Sequence, residues 1–304
     1  MKLTDFNETD LQIIQDGSFS SLGLCGAAAG VPILTFAGNI KYLKTALANP
    51  DVSCVLVPAE QLESEALQQT EKGIASAEDI RTLFFKLHNQ LAAVEKDNTY
   101  VRKSTPSQFG RNFCPQHFCE ISPNNVVIGD NVTIESFVKI HENVQIGDGC
   151  IIRSGTVLGG TGLEFIRMGS QGILAVTHCG GLRIGSDVEI QYNCNVSRSL
   201  FPWDDTVIGA ETKIESLVHV AHGVKLGKRA LVAASACIGG SAEIGDDVWI
   251  GPNATLSSEV KVSDRARISL GAVVVGNVAA GETVSGNFAL SHEKFMQDQM
   301  RKML

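Results

Sequence analysis

Apolar residues recur at every sixth position along most of the chain beyond residue 125. A smaller residue stands two positions before each large one, as Val126 stands before Ile128. Residues two apart in a strand point to the same side, so each hexad predicts a short strand with two inward side chains. This period is the signature of a parallel β-helix, in which three hexads form a coil and about twenty hexads form about seven coils. The large residues are Ile128, Ile134, Ile140, Ile146, Ile152, Leu158, Ile184, Ile190, Val196, Ile208, Ile214, Val220, Leu226, Val232, Ile238, Ile244, Ile250, Leu256, Val262, Ile268 and Val274.

Turn residues separate the predicted strands. Gly follows the large residue in many hexads, and Asp, Asn or Lys often comes next, as in Gly129-Asp130 after Ile128. Such residues supply positive φ or local side-chain hydrogen bonds, so we expect them at the corners of the coils. Cys150 and Cys194 occupy small inward positions and are expected to be core thiols.

A Gly-rich segment from Gly159 to Gly181 interrupts the repeat, because Leu158 and Ile184 are not separated by a whole number of hexads. We expect this segment to leave the helix surface. Long loops on a regular scaffold commonly carry function or oligomer contacts. Its polar and aromatic residues include Phe165, Arg167, His178 and Cys179.

The first hundred residues lack the six-residue period. Residues 52–57 followed by Pro58 predict a buried strand. Between Ser76 and Val94, apolar residues at spacings of three and four predict a helix, and Ser76 with Asp79 resembles a capping pair. We therefore predict an α+β domain over residues 1–105, a β-helix domain over 106–287 and a short C-terminal helix over 288–304.

The charge and cysteine content narrow the classes of function. The 304 residues include 25 Lys plus Arg against 33 Asp plus Glu, which gives a formal net charge of -8 and argues against a nucleic-acid partner. Neither a signal peptide nor an apolar run long enough to span a membrane is evident. The eight cysteines form no Cys-x-x-Cys pair, so we expect reduced thiols, no metal site and a cytoplasmic protein.

Two histidines lie in one hexad, and both are expected to point outward because Val220 is the inward residue. Side chains 18 residues apart stack in successive coils, so Asp204 is expected beside His222. A carboxylate beside an imidazole holds its tautomer and makes it a better base. The same spacing places Phe201 beside His219 and gives His219 no such partner.

This region resembles the UDP-3-O-acylglucosamine N-acyltransferase family of lipid A synthesis. The resemblance rests on the segment 204–209 followed at a fixed distance by Val218-His219-Val220-Ala221-His222. In that family, the histidine at the position of His222 is the catalytic base. The resemblance also implies a left-handed helix, a homotrimer, and a role in lipopolysaccharide biosynthesis.

The N-terminal segment 34–42 is similar to the stretch with which this family binds uridine. A Phe, an Asn and a Tyr at three-residue spacing hold the uracil ring in the family, and they correspond here to Phe36, Asn39 and Tyr42. Two aromatic rings can stack a base while an amide reads its edge. The resemblance thus implies a UDP-linked amino sugar as the acceptor.

The chain departs from the family at three places. The second histidine, proposed to assist at the oxyanion, is Glu259, and the asparagine after the base is Gly223. The Gly-Phe-Gly-Tyr loop reads as residues 162–165, Gly-Leu-Glu-Phe. Glu259 is expected to contact the substrate amine unless another donor serves the oxyanion. The backbone N–H of Gly240, one coil beyond His222, is a candidate for that donor.

We expect an N-acyltransferase that uses a thioester donor and no permanently bound cofactor. The donor is either acyl-CoA or an acyl carrier protein. A basic patch suits the phosphates of coenzyme A and an acidic carrier equally well. Its residues are Lys225, Lys228, Arg229 and Arg265, with Arg267 nearby.

Two other functions stay open at this point. A zinc-dependent carbonic anhydrase on this fold needs three converging histidines, and His141, His219 and His222 fit that requirement poorly. The missing second histidine keeps open a non-catalytic sensor or scaffold that binds a UDP-sugar. The sequence leaves open the sugar, the position of its amine, the acyl length and the glycan that receives the product.

Overall fold

The computed structural model describes residues 1–6, 11–93, 99–286 and 288–303. Val94, the predicted domain boundary at residue 287 and residue 304 lie outside these ranges. In chain order, the described residues form a five-stranded sheet with helices, a three-sided β-helix, and a C-terminal helix.

The N-terminal sheet has the strand order β1-β5-β4-β3-β2, in which β2 to β5 are parallel and β1 is antiparallel to β5. The strands are β1 Gln12–Gln15, β2 Ser21–Leu22, β3 Ile33–Phe36, β4 Val52–Val57 and β5 Gly73–Ser76. The helices are α1 Ile40–Ala48, α2 Glu65–Gln68 and α3 Ile80–Ala93, with short 3₁₀ turns at Leu3–Asp5 and Ala59–Gln61. The strand expected over residues 52–57 is thus present as β4.

The start of α3 differs from the expectation. Ser76 ends β5 and is buried. The carboxylate of Asp79 accepts hydrogen bonds from the Thr82 N–H at 3.0 Å and the Thr82 hydroxyl at 2.6 Å. Asp79 therefore caps the helix, as a side-chain acceptor does for the free N–H groups of a first turn, and the cap predicted at Ser76 is wrong.

The rest of the chain winds into coils with three eight-stranded parallel faces. The first face contains Gln108–Phe109, Val126–Ile128, Val144–Ile146, Gly181–Ile184, Asp205–Ile208, Lys225–Leu226, Glu243–Ile244 and Lys261–Val262. The second contains Thr133–Ile134, Ile151–Ile152, Glu189–Ile190, Lys213–Ile214, Leu231–Val232, Trp249–Ile250, Arg267–Ile268 and Thr283–Val284. The third contains Glu120–Ile121, Lys139–Ile140, Val157–Gly160, Asn195–Ser197, His219–Val220, Cys237–Ile238, Thr255–Leu256 and Val273–Val274.

The inward residues of the hexads form one continuous core. Val126, Ile134 and Ile238 are each 0% exposed, and Cys150 and Cys194 lie among them as expected. Apolar burial is the main favourable contribution to folding, so this stack of small and large residues holds the coils together. The predicted β-helix of hexapeptide repeats is confirmed.

Positive φ occurs at a different corner position from the one expected. Asn131, Glu211 and Asp247, three residues after the large residue, have φ of 58°, 63° and 59°. The glycine directly after the large residue instead permits close approach of coils. A Cβ on Gly209 would lie 2.4 Å from the carbonyl carbon of Gly227 in the next coil. Only a residue without a side chain fits there.

Two insertions leave the helix at the same corner. We call this the loop corner: it comprises the turns that lead from the third face into the first, including residues 161–180 and 198–204. Val207 pairs with Lys225 at the usual 18-residue separation, but Ile146 pairs with Ile184 across the first insertion. The core therefore continues past the insertion without a break. The inserted residues include a hairpin of Phe165–Arg167 and Ile173–Ala175 and a 3₁₀ turn at Gly169–Gln171.

The insertions pack against the N-terminal sheet and helices. Ile166, Val176 and Phe201 share one hydrophobic cluster with Phe84 of α3. The Trp203 indole N–H donates to the Leu22 carbonyl oxygen at 2.8 Å. This packing places α3 beside the loop corner.

The C-terminal helix α4 spans His292–Met303. Among the helices in the described ranges, none combines the length and the apolar character needed to cross a lipid bilayer.

Candidate active site

His222 lies at the loop corner, between the inward residues Val220 and Val224. Its side chain is 19% exposed, so the imidazole is largely buried but reachable from solvent. Because the adjacent inward positions fix the backbone of the turn, the ring projects outward, next to Gly162 of the first insertion. His222 is the centre of the polar cluster described below.

Gly240 lies directly over the His222 ring. A Cβ built on Gly240 would stand 2.9 Å from both Nε2 and Cε1 of His222. Within the described ranges, the Gly240 N–H donates to no acceptor. An unpaired N–H beside an imidazole is what an oxyanion site requires.

Glu164 of the first insertion faces His222. Its Oε2 lies 3.8 Å from His222 Nε2, and its Oε1 lies 3.5 Å from Nη2 of Arg81 on α3. Glu164 is a site residue that the sequence pattern does not predict. The one indication in the sequence is that Glu164 is the third residue of the loop over residues 162–165, where the resembling family has glycine.

His178 holds the first insertion in place. The Gly162 N–H donates to His178 Nε2 at 3.2 Å, so Nδ1 carries the proton and donates to the Val176 carbonyl oxygen. Burial, and secondarily the nearby His222, lowers the pKa of His178 to about 4. The ring is therefore neutral at pH 7 and lies 5.6 Å from that of His222, centroid to centroid.

Asp204 lies at the loop corner one coil before His222, but it does not form the expected pair with the imidazole. Its Oδ1 accepts from Lys225 Nζ at 2.5 Å, and its Oδ2 accepts from the Ser199 hydroxyl. Among the described residues, the carboxylate in ion-pair contact with a His222 nitrogen is Glu164. Asp204 acts on His222 at longer range, as a negative charge.

His219 pairs in register with Asn195 and not with Phe201. The 18-residue arithmetic fails here because the second insertion adds residues between the third and first faces. Phe201 leaves the helix and is 5% exposed in the cluster with α3. The neighbour predicted for His219 is therefore wrong.

The three residues of the uridine-like stretch surround the start of α1. Phe36 ends β3 and contacts Phe84 and Phe85, with ring centroids 5.0 and 6.2 Å away. Asn39 caps α1, with its side-chain oxygen accepting from the Tyr42 N–H at 3.1 Å. Tyr42 is 48% exposed. The Asn39 amide nitrogen and the Tyr42 ring thus stay available to a ligand, while their binding role remains a prediction.

Glu259 lies on the loop corner beyond Gly240, whose carbonyl oxygen accepts from the Glu259 N–H at 2.9 Å. It is exposed, and its charge contributes to the raised pKa of the Cys25 thiol, which is due first to burial. The structure brings Glu259 next to the loop around Cys25 and places Glu164 nearer to His222.

The basic residues do not form a patch of one sign. Arg229 binds Asp247 through two hydrogen bonds of 2.7 and 2.8 Å, and the positive charge of Arg265 acts on the same carboxylate. Lys228 lies beside Asp246, and Lys225 binds Asp204. This surface is a ladder of alternating charge, and its donor-binding role stays a prediction.

No three His, Cys, Asp or Glu side chains in the described part of the chain converge to form a metal site. All eight cysteines are free thiols.

The arrangement around His222 supports proton transfer by an imidazole.

The titration of His222 provides a test of this electrostatic arrangement. Burial lowers its pKa from the ordinary 6.5, while Glu164 and Asp204 oppose that shift. Glu164→Gln removes a charge that favours the protonated ring, so the pKa should fall further. NMR titration of ¹³C-labelled histidines checks this against Glu211→Gln, a control at an exposed corner. An unchanged or raised His222 pKa in Glu164→Gln would contradict the proposed geometry.

The chain has sequence similarity to known acyltransferases. Residues 125–160 and 205–240 match the family described as bacterial transferase hexapeptide (six repeats). A UDP-3-O-acylglucosamine N-acyltransferase of Bordetella pertussis is 32% identical over 152 residues, covering 49% of this chain and 41% of that protein. One from Coxiella burnetii is 40% identical over 136 residues, covering 45% and 39%. The chain thus spans about two fifths of the length of these curated relatives.

Solved structures support the fold alone. A Francisella novicida UDP-N-acetylglucosamine acyltransferase has a TM-score of 0.53 at 20% identity and covers 67% of this chain and 75% of its own. The Arabidopsis enzyme has a TM-score of 0.50 at 20% identity and covers 63% and 73%. These neighbours are consistent with the left-handed β-helix. The expected resemblance is confirmed: this chain carries a hexapeptide-repeat region and is similar, over about half its length, to proteins named UDP-3-O-acylglucosamine N-acyltransferase.

Proposed function

We propose that this protein transfers an acyl group from a thioester to the amine of a UDP-linked amino sugar, with His222 as the general base. One observation carries the proposal. A largely buried imidazole lies against Gly240, whose backbone N–H has no acceptor among the described residues, within a segment that matches the hexapeptide transferases.

His222 is suited to accept a proton. Because burial keeps its pKa below 6.5, the imidazole is neutral at pH 7. Glu164 and Asp204 contribute negative charge that stabilises the imidazolium once the proton has been taken. Asp204 keeps a supporting role at a distance, and Glu164 is the nearer carboxylate.

The reaction proceeds through a tetrahedral intermediate. The amine lone pair attacks the thioester carbonyl carbon, a C–N bond forms, and the carbonyl electron pair moves to oxygen. The Gly240 N–H stabilises this oxyanion, while His222 Nε2 removes a proton from the nitrogen. The carbonyl then re-forms, the C–S bond breaks, and the thiolate takes the proton from His222.

The N-terminal domain supplies the nucleotide site in this proposal. Phe36 and Tyr42 stack the uracil and the Asn39 amide reads its edge. A contact path connects this site to the base: Phe36 packs on Phe85, Arg81 lies 6.0 Å above the Phe85 ring, and Arg81 reaches Glu164.

Coenzyme A and an acyl carrier protein remain the two donor classes. The ladder of alternating charge at Lys228, Arg229 and Arg265 offers cations to either one. We also infer a cytoplasmic homotrimer, in which exposed apolar side chains such as Leu217, Val273 and Val275 are covered by other subunits. Native mass spectrometry tests the trimer.

The test of function is a panel of UDP-linked amino sugars, each offered acetyl-CoA, longer acyl-CoAs and hydroxyacyl carrier protein, with products identified by mass spectrometry. A long hydroxyacyl product from the carrier protein would support a role in lipid A assembly. A short-chain product from coenzyme A would support modification of another glycan. UDP-sugar binding without any product would refute the enzyme and favour a sensor.

A further inference from the structure

The carboxylate of Glu164 is enclosed yet accepts no hydrogen bond from the described residues. Its side chain is 18% exposed. Its neighbours are Arg81 Nη2 at 3.5 Å, which is an ion-pair contact, and His222 Nε2 at 3.8 Å. A largely buried carboxylate is normally hydrogen-bonded, because losing water without a replacement donor is costly. Because 18% of the Glu164 side chain is exposed, water or a bound substrate can reach the carboxylate and donate to it.

The geometry between Glu164 and His222 specifies that donor. In the Nδ1–H tautomer, which a base acting through Nε2 requires, a carboxylate oxygen and the imidazole Nε2 are two acceptors 3.8 Å apart. One nitrogen atom placed about 2.9 Å from each can donate one N–H to the carboxylate and another to the imidazole. A hydroxyl has a single hydrogen and can serve only one of the two. The pair is thus complementary to an amine and not to an alcohol.

We propose that Glu164 recognises the acceptor amine and makes this site selective for an amino sugar over its hydroxyl counterpart. The inference rests on the proposed function and names the residue that defines its acceptor class. Glu164 holds the nitrogen with one N–H while the lone pair attacks, and His222 removes the other proton. Glu259, for which contact with the amine is one of two alternatives from the sequence, is exposed, and its charge acts on Cys25.

The protein fixes Glu164 from two sides. The His178 ring accepts the Gly162 N–H and so anchors the turn that precedes Glu164. A Cβ on Gly162 would lie 3.0 Å from His222 Cδ2, so glycine there allows the turn to rest against the base. Arg81 Nη2 on α3 lies 3.5 Å from Glu164 Oε1 and presents a positive charge to the carboxylate. The anchored turn and the Arg81 contact position the carboxylate. Neither one is a hydrogen bond to it, so its oxygens can still accept from a substrate.

The experiment measures binding without any acyl donor. Isothermal calorimetry compares UDP-glucose with its 2-amino, 3-amino and 4-amino counterparts, for the wild type, Glu164→Gln, Glu164→Asp and the exposed control Glu211→Gln. We expect the wild type to bind one amino form at least about tenfold more tightly than UDP-glucose. Glu164→Gln should lose that preference and keep its affinity for UDP-glucose. Glu164→Asp should retain part of the preference, and Glu211→Gln all of it.

The outcomes separate the two proposals. A wild type with no preference for any amino form overturns the inference, and so does a Glu164→Gln variant that keeps the full preference. Matching thermal melts of wild type and variant ensure that a lost preference is not lost folding. If the Glu164-dependent preference is present but no thioester yields a product, the recognition role stands and the acyltransferase proposal fails.

Discussion

Replacing His222 with alanine is expected to lower kcat for acyl transfer by about 10²- to 10⁴-fold, the usual contribution of a positioned general base. The KM for the UDP-sugar should change little, because the proposed nucleotide contacts at Phe36, Asn39 and Tyr42 lie on the N-terminal domain. Steady-state release of the free thiol from the donor, measured with the best acceptor of the panel, checks both parameters.

His117→Ala is the control for this substitution. His117 is an exposed histidine in the turn before the first strand of the third face, and its ring centroid lies 6.3 Å from that of Phe118. It should keep the wild-type rate. A His222→Ala variant within threefold of wild type would remove His222 from the mechanism.

Gly240→Ala is expected to lower kcat by about 100-fold while the fold is retained. The new methyl group would stand 2.9 Å from His222 Nε2 and Cε1, so the imidazole must move. The same methyl group crowds the space in which the Gly240 N–H would meet the oxyanion, and loss of one such donor costs about 10²- to 10³-fold. The effect should appear in kcat, with the melting temperature close to that of the wild type.

Gly276→Ala provides the matched control, because a Cβ at Gly276 meets no atom within 4 Å. It should have the wild-type rate. A Gly240→Ala variant with unchanged kcat would show that neither the position of the ring nor this N–H contributes to the reaction.

The β-helix was predictable because each coil repeats the same physical requirement. Inward residues such as Ile134 and Val126 are apolar in most hexads, with a small residue such as Thr156 in others, so the six-residue period is visible in the sequence. The role of the corner glycines was harder to predict from the sequence. Close approach and positive φ both select for glycine, and only the structure shows that Gly209 meets the first requirement and Gly223, with φ of 72°, the second.

The site was predictable only where it lies on the repeat. His222 and Gly240 occupy periodic positions, so counting by 18 places one over the other. Glu164 and His178 lie on an insertion without a period, and their positions depend on packing against α3. Asp204 shows a further limit, since the register gives its coil but not the rotamer that turns it toward Lys225 and Ser199.

The loop corner has a consequence for how such proteins diverge. Both insertions leave and rejoin the stack without altering the inward residues, and Ile146 pairs with Ile184 as if the first insertion were absent. In a solenoid, each repeat is stabilised mainly by its neighbours. Substitutions at the exposed positions of residues 161–180 can therefore change the surface beside His222 at little cost to the stability of the β-helix. The same β-helix can in this way carry different loops beside one histidine.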